Sequence, residues 1–167
     1  MSVRCDITLF LYTKSIFSFC RRGHPPHEDL IHRGLTAKDI GCFGLTEIGH
    51  GSNTKDLETE ATYDHATRSF ILNTPTDTGF KFWIGGAAEI ANMALIWAQM
   101  IVNGKRYGVH PFAIPIRDRK TMLVLDGVLI ADCGAKFGMH GIDNGKIGFR
   151  NYRVSYDCLL DRIARVD

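Results

Sequence analysis

The chain has 167 residues, 45% of them hydrophobic, and a formal net charge of +2 at pH 7. That length supports one domain with a real core and falls short of two. The near-neutral balance excludes a dedicated nucleic-acid binder, which concentrates Lys and Arg on one face, and no apolar run reaches the length needed to span a bilayer.

At the N-terminus, Ile7-Thr8-Leu9-Phe10-Leu11-Tyr12 and Ile16-Phe17-Ser18-Phe19-Cys20 form an apolar block ahead of Arg21-Arg22. Lys14 interrupts it and no small-x-small cleavage site follows, so a strand or helix packed on the body is expected rather than a secretory signal. Residues 21–38 are polar, with Pro25-Pro26 flanked by His24 and His27, and His32 beyond. They read as a solvated linker, with nothing to complete a metal site.

Gly41-Cys42-Phe43-Gly44-Leu45-Thr46-Glu47-Ile48-Gly49-His50-Gly51-Ser52-Asn53 reads as a strand opening into a glycine-rich polar turn. Such a turn lets backbone approach a ligand closely. Leu57 to Tyr63 alternates with period two, Asp64 to Arg68 supplies a hairpin connection, and 69–73 returns as a strand. Residues 74–79 are turn-rich, and Phe80-Lys81-Phe82-Trp83-Ile84 is a short aromatic strand. Gly86 to Ala91 has the small residues of a helical turn. Residues 93–102 fit either a buried helix or a buried strand: alanine and methionine favour helix, while Asn103-Gly104 is a hairpin signal. In 107–116, Pro111 and Pro115 require a sheet edge or a bulge.

Arg117-Asp118-Arg119-Lys120 reads as a solvated loop. Residues 128–133 form a further apolar run. A glycine-spaced loop carrying Phe137, Met139 and His140 follows, then a turn at Asp143-Asn144-Gly145 and extended pattern through Val154. Leu159, Leu160, Ile163 and Val166 have helical spacing. Six to eight short strands with regular turn signals point to a mainly β barrel or sandwich. Five scattered cysteines (Cys5, Cys20, Cys42, Cys133, Cys158) without a CxxC pair read as reduced thiols of an intracellular protein, and Cys42 reads as buried and inert.

No nucleophile elbow, Walker loop, GxGxxG or HExxH is present. Glu47 and Glu60 are the acids nearest the distinctive segments, and a structural or solvated Glu47 is favoured over a general base. Cys42 to Asn53 resembles the first flavin segment of the acyl-CoA oxidases, in the acyl-CoA dehydrogenase superfamily. Lys81-Phe82-Trp83-Ile84-Gly85 resembles their second, at the matching separation. Further likeness runs through Leu57-Glu58-Thr59, Ala61-Thr62-Tyr63-Asp64, His110-Pro111-Phe112, Pro115-Ile116-Arg117-Asp118, Gly127-Val128, Lys136-Phe137-Gly138 and Asp143-Asn144-Gly145. It covers about residues 38–166 and is nearest to the peroxisomal type.

The resemblance implies a flavin-binding β-barrel middle domain over 38–167, with short helical segments at its ends. Residues 1–37 lie outside the match, and the family's flanking helical domains are missing. It implies FAD as cofactor, with Thr46 on the flavin ring, Phe43, Leu45, Trp83, Ile84 and Gly85 lining it, and Ser52 toward the phosphates or the CoA end of the substrate. Family dehydrogenases usually carry Thr where Gly85 stands and oxidases carry Gly, leaving room for oxygen. The implied reaction is α,β-dehydrogenation of a fatty acyl-CoA to the trans-2-enoyl-CoA, with molecular oxygen reduced to hydrogen peroxide in peroxisomal fatty acid β-oxidation by a homodimer. The C-terminal Ala164-Arg165-Val166-Asp167 is not the Ser-Lys-Leu peroxisomal address. The family's proton-abstracting glutamate belongs to a C-terminal helical domain. No catalytic residue is therefore assigned here, and the chain alone is expected to be inactive. The alternatives are a non-catalytic acyl-CoA- or partner-binding isoform and a dehydrogenase fragment.

Overall fold

The structure, a computed structural model, describes residues 3–138 and 140–166. Met139, expected in the glycine-spaced loop, lies outside the described residues. Among these residues there are two α-helices, three one-turn 3-10 helices and nine strands: α1 (Val3–Phe19), α2 (Pro25–Leu35), β1 (Gly41–Gly44), β2 (Glu60–Asp64), β3 (Ser69–Asn73), β4 (Lys81–Gly85), β5 (Met93–Val102), β6 (Lys105–Pro115), β7 (Val128–Asp132), β8 (Asn144–Phe149) and β9 (Tyr152–Ser155). The fold is mainly β, as expected. One sheet runs β1-β5-β2-β3-β9 with β6 paired to β5, and the other runs β4-β8-β7.

The two sheets curl around one core. Ala61, Phe70, Leu72, Ile96, Met100, Phe112 and Ile114 of the larger sheet meet Ile84, Val128, Ile147 and Phe149 of the smaller. Phe70 and Phe112 meet edge-on at 5.0 Å, a geometry that adds to burial.

β5 resolves the helix-or-strand ambiguity. Ala94, Ile96, Ala98 and Met100 face the barrel core, while Met93 and Leu95 join the cluster under the helices. A strand covered on both faces loses its period-two signature and reads as one apolar run. β6 pairs only with β5 among the named strands, so Pro111 and Pro115 occupy an edge, as their missing N–H requires.

The helices form a third layer. Tyr12, Ile16 and Cys20 recur every four residues, the spacing of one helix face, and are buried against Leu30, Met93, Leu95 and Leu160. The Tyr12 ring lies flat on Gly41, where an added Cβ would stand 2.2 Å from its nearest atom.

Residues 21–38 are not a solvated linker. Pro25 and Pro26 occupy the first helical positions of α2, and His27, Leu30 and Gly34 are buried. Proline at the start of a helix removes only a donor that has no partner there. His27 Nε2 reaches the Asp157 and Leu159 carbonyls, each at 3.1 Å. Residues 159–166 do not form the helix their spacing suggests. Leu159 bridges Phe112 and Leu160 N–H donates to the Pro111 carbonyl at 3.0 Å, so this segment covers the β6 edge. Cys20, Cys42, Cys133 and Cys158 are free thiols, and burial pushes the Cys42 thiol up to about 12, which keeps it inert.

Asp39 ties α2 to the segment after β6. Its fully buried carboxylate accepts from Arg33 Nε at 2.8 Å and Arg119 Nε at 2.7 Å. Burial alone would raise its pKa, but the two guanidinium groups outweigh that and hold it below the usual carboxylate value. A depressed carboxyl gives stability that is present above its unfolded pKa, about 3.9, and lost as pH falls through the folded value. Urea midpoints should therefore drop as pH falls below about 4, and Asp39→Asn should flatten that acid limb while costing about 1–3 kcal/mol at neutral pH.

Candidate functional site

The two glycine-flanked segments, 36 residues apart between Thr46 and Phe82, lie side by side. Phe82 N–H donates to the Thr46 carbonyl at 3.0 Å, Ile48 N–H to the Phe80 carbonyl at 3.0 Å, and Thr46 Oγ1 to the Phe82 carbonyl at 2.9 Å. Residues 46–48 thus continue the smaller sheet as an extra antiparallel edge beside β4. Alternation along this edge sends Thr46 outward and Glu47 inward.

Inside, Lys81 and Glu47 form an ion pair with no side-chain exposure, Nζ to Oε1 at 2.8 Å. Lys81 Nζ also donates to the Trp97 carbonyl at 2.6 Å and the Leu45 carbonyl at 3.3 Å. Glu47 further accepts from Glu58 N–H at 2.7 Å and from Thr59 N–H and Oγ1 at 2.9 and 2.8 Å. The three ammonium donors and both carboxylate oxygens are thereby engaged, as a buried ion pair requires, and only Oε2 keeps a lone pair unused. Burial draws the Lys81 ammonium down to about 8 against the pull of Glu47. Burial would lift the Glu47 carboxyl, but Lys81 and the backbone donors keep it below its usual value. Glu47 is thus structural, neither solvated nor free to act as a general base.

Outside, the ledge carries Thr46 and Trp83. Trp83 is 55% exposed and adopts φ +61°, where the β4–β8 register shifts between Lys81 and Ile84. A bulky residue in the left-handed region is strained by about 1–2 kcal/mol and marks functional sites more often than plain sheet. The bulge swings the indole out of the core, where Ile84 takes its place at 2% exposure.

Gly85 pairs with Asn144, and the turn after it is clamped from both sides. The Asp143 carboxylate accepts from Ala88 N–H at 2.9 Å and from Glu89 and Ile90 N–H at 3.2 Å. Arg117, 5% exposed and not in a solvated loop as its charge run suggests, donates to the carbonyls of Ala87, Ala88 and Ala91 at 2.6–2.9 Å.

The structure therefore brings Thr46, Trp83 and Gly85 to one open ledge beside the half-buried Leu45. Phe43 packs toward the helical layer and Ile84 into the barrel core, so each can line the ledge only through its backbone. Ser52 is exposed on the turn leaving the ledge. A separate cavity of about 660 Å³ between α2 and β6, lined by Leu30, Arg33, Met93 and Arg117, lies away from these residues. Sequence reasoning missed Lys81, Arg117 and Asp143 as site-building residues. Period two gave no signal for Lys81, because the bulge turns Lys81 inward while Trp83, two positions on, faces out.

The model of the acyl-CoA dehydrogenase middle domain matches residues 42–152. The chain belongs to this family. It is 46% identical over 158 residues to an acyl-coenzyme A oxidase of Eremothecium gossypii, covering 91% of this chain and 22% of that protein. It is 39% identical over 166 residues to the peroxisomal acyl-coenzyme A oxidase 3 of Arabidopsis thaliana, covering 99% of this chain and 24% of that one. The crystal structure of acyl-CoA oxidase-1 of Caenorhabditis elegans complexed with FAD and ATP superposes with a TM-score of 0.88 at 37% identity, covering 93% of this chain and 24% of that chain. The chain thus spans about a quarter of the length of these acyl-CoA oxidases.

Proposed function

We propose that residues 38–167 are the flavin-binding β-domain of a fatty acyl-CoA oxidase, with α1 and α2 as a helical layer upon it. The observation that carries this reading is the pairing of the two motifs into one edge, with an exposed hydroxyl at Thr46 and an exposed indole at Trp83 beside it. An indole face beside a hydroxyl oxygen that can still accept, its proton being given to the Phe82 carbonyl, fits a flat, polar-edged ring. Thr46 would hydrogen-bond the ring edge of FAD, Trp83 would cover it, and Leu45 and the backbone of Phe43 and Ile84 would support it. Gly85, with no side chain, keeps the ledge open to molecular oxygen. Ser52, exposed on the turn, would lie toward the phosphates or the CoA end of the substrate.

Bound FAD supplies the acceptor for the hydride leaving the β-carbon of the acyl-CoA, with oxygen as final acceptor and hydrogen peroxide as product. The proton acceptor for the α-carbon is not assigned to any residue of this chain, and Glu47 is committed to Lys81. We read the full-length enzyme as a homodimeric peroxisomal oxidase of fatty acid β-oxidation; the peroxisomal relative of Arabidopsis thaliana supports the compartment.

These 167 residues alone are expected to bind FAD weakly and to release no peroxide from long-chain acyl-CoA. Flavin absorbance that co-elutes with the chain supports the reading, and robust turnover by the purified chain would overturn its inactive half. In the full-length protein, Gly85→Thr should slow reoxidation by oxygen in stopped-flow while leaving reduction by acyl-CoA largely intact. Unchanged reoxidation would remove Gly85 from the oxidase assignment.

A further inference from the structure

Behind the ledge, three side chains converge that the flavin reading does not use. His50 Nδ1 lies 3.4 Å from Glu47 Oε2 and 3.6 Å from Glu58 Oε1. One donor atom from each of Glu47, His50 and Glu58 lies within 4.8 Å of the others. His50 Nδ1 is sealed from solvent and has no hydrogen-bond partner. Glu47 turns its other oxygen, Oε1, to Lys81, and Glu58 turns its other oxygen, Oε2, to Thr76. Glu47 Oε2 accepts one hydrogen bond, from Glu58 N–H at 2.7 Å, and keeps a second lone pair, so each of the three residues has a lone pair left for a shared ligand.

We propose that Glu47, His50 and Glu58 form a binding site for a divalent first-row transition cation, with Zn²⁺ the best match. Zinc bonds to imidazole nitrogen and carboxylate oxygen of about 2.1 Å place tetrahedral ligands about 3.4 Å apart. The two measured separations to His50 fall at that edge length. One nitrogen and two carboxylate oxygens suit zinc better than the all-oxygen preference of calcium or magnesium. The charges also fit: two carboxylates and the Lys81 ammonium leave one net negative charge around a neutral imidazole. Gly49 lets Glu58 fold over the turn, since a Cβ there would stand 3.3 Å from Glu58 Oε1 and 3.1 Å from Thr78 Cβ. His50 and Glu58 are partly exposed, 20% and 24% at the side chain, so the cluster sits just beneath the surface. A bound cation would tie the ends of the 47–58 loop, which carries Ser52, to the buried ion pair.

The test is titration of the metal-stripped full chain with Zn²⁺ alone at neutral pH, reading bound metal by equilibrium dialysis and the melting midpoint by calorimetry. The expected result is one tightly held equivalent and a raised midpoint. His50→Ala and Glu58→Gln, both on the partly exposed loop, should each weaken binding about tenfold or more, while Cys133→Ser leaves it unchanged. Absence of binding overturns the proposal. Binding that is indifferent to both loop variants places the metal elsewhere and overturns it equally.

Discussion

Lys81→Met should cost the chain about 3–5 kcal/mol, the usual penalty for leaving one member of a buried ion pair alone. The methionine matches the length of the stem but removes the donor to Glu47 and to the Leu45 and Trp97 carbonyls. Total stabilities of about 5–15 kcal/mol are typical of single domains, so the variant should unfold at a far lower urea concentration. The double variant Glu47→Gln/Lys81→Met separates charge from packing. Glutamine removes the unpaired charge and keeps one acceptor oxygen, enough for the two Thr59 donors but not also for Glu58 N–H, so the double variant should recover only part of the loss. A double variant no better than Lys81→Met would show that the carbonyl contacts, and not the carboxylate, carry the effect.

Arg117→Leu should be comparably damaging, about 3 kcal/mol or more, because three carbonyls of the 86–91 turn lose their donor at once. The guanidinium is buried and its hydrogen bonds all go to Ala87, Ala88 and Ala91. The consequence should reach the ledge, since this turn follows Gly85 directly. Amide exchange at Ala88 to Ala91 should accelerate more than exchange in β3 or β5. Uniform acceleration throughout the chain would mean that Arg117 supports the whole fold and not this turn.

Much of the site was legible because its outward residues sit in motifs that are continuous in sequence. Thr46 and Trp83 belong to two short runs whose glycines and aromatics announce an open edge. Their mutual pairing was carried only by the family resemblance, since period-two alternation places residues on faces and does not select a partner strand. Lys81 and Glu47 were illegible for the same reason: a charge pointing inward is recognised only when its partner, 34 positions away, is known. Arg117 was hidden inside a charge run whose other members are partly or wholly exposed.

The β5 strand was ambiguous because burial on both faces erases alternation. The C-terminal apolar positions were misread as a helix because Leu159 and Leu160 face two different surfaces, the barrel core and the helical layer. That is also what helical spacing produces over two residues. The α2 prolines signalled a helix start as well as a linker, and the buried His27 and Leu30 decide between them.

The central claim is that the two paired segments form one flavin ledge, with Trp83 on it. The most direct measurement is an FAD titration of the nitrogen-15-labelled chain, following the two indole N–H resonances, with Trp97→Phe used to assign them. Trp83 lies on the ledge at 55% exposure, whereas Trp97 packs edge-on against Phe19 of α1 at 5.3 Å. The account predicts a saturable shift of the Trp83 resonance with Trp97 unmoved. A Trp97 shift with Trp83 fixed, or no saturable shift of either, would contradict it.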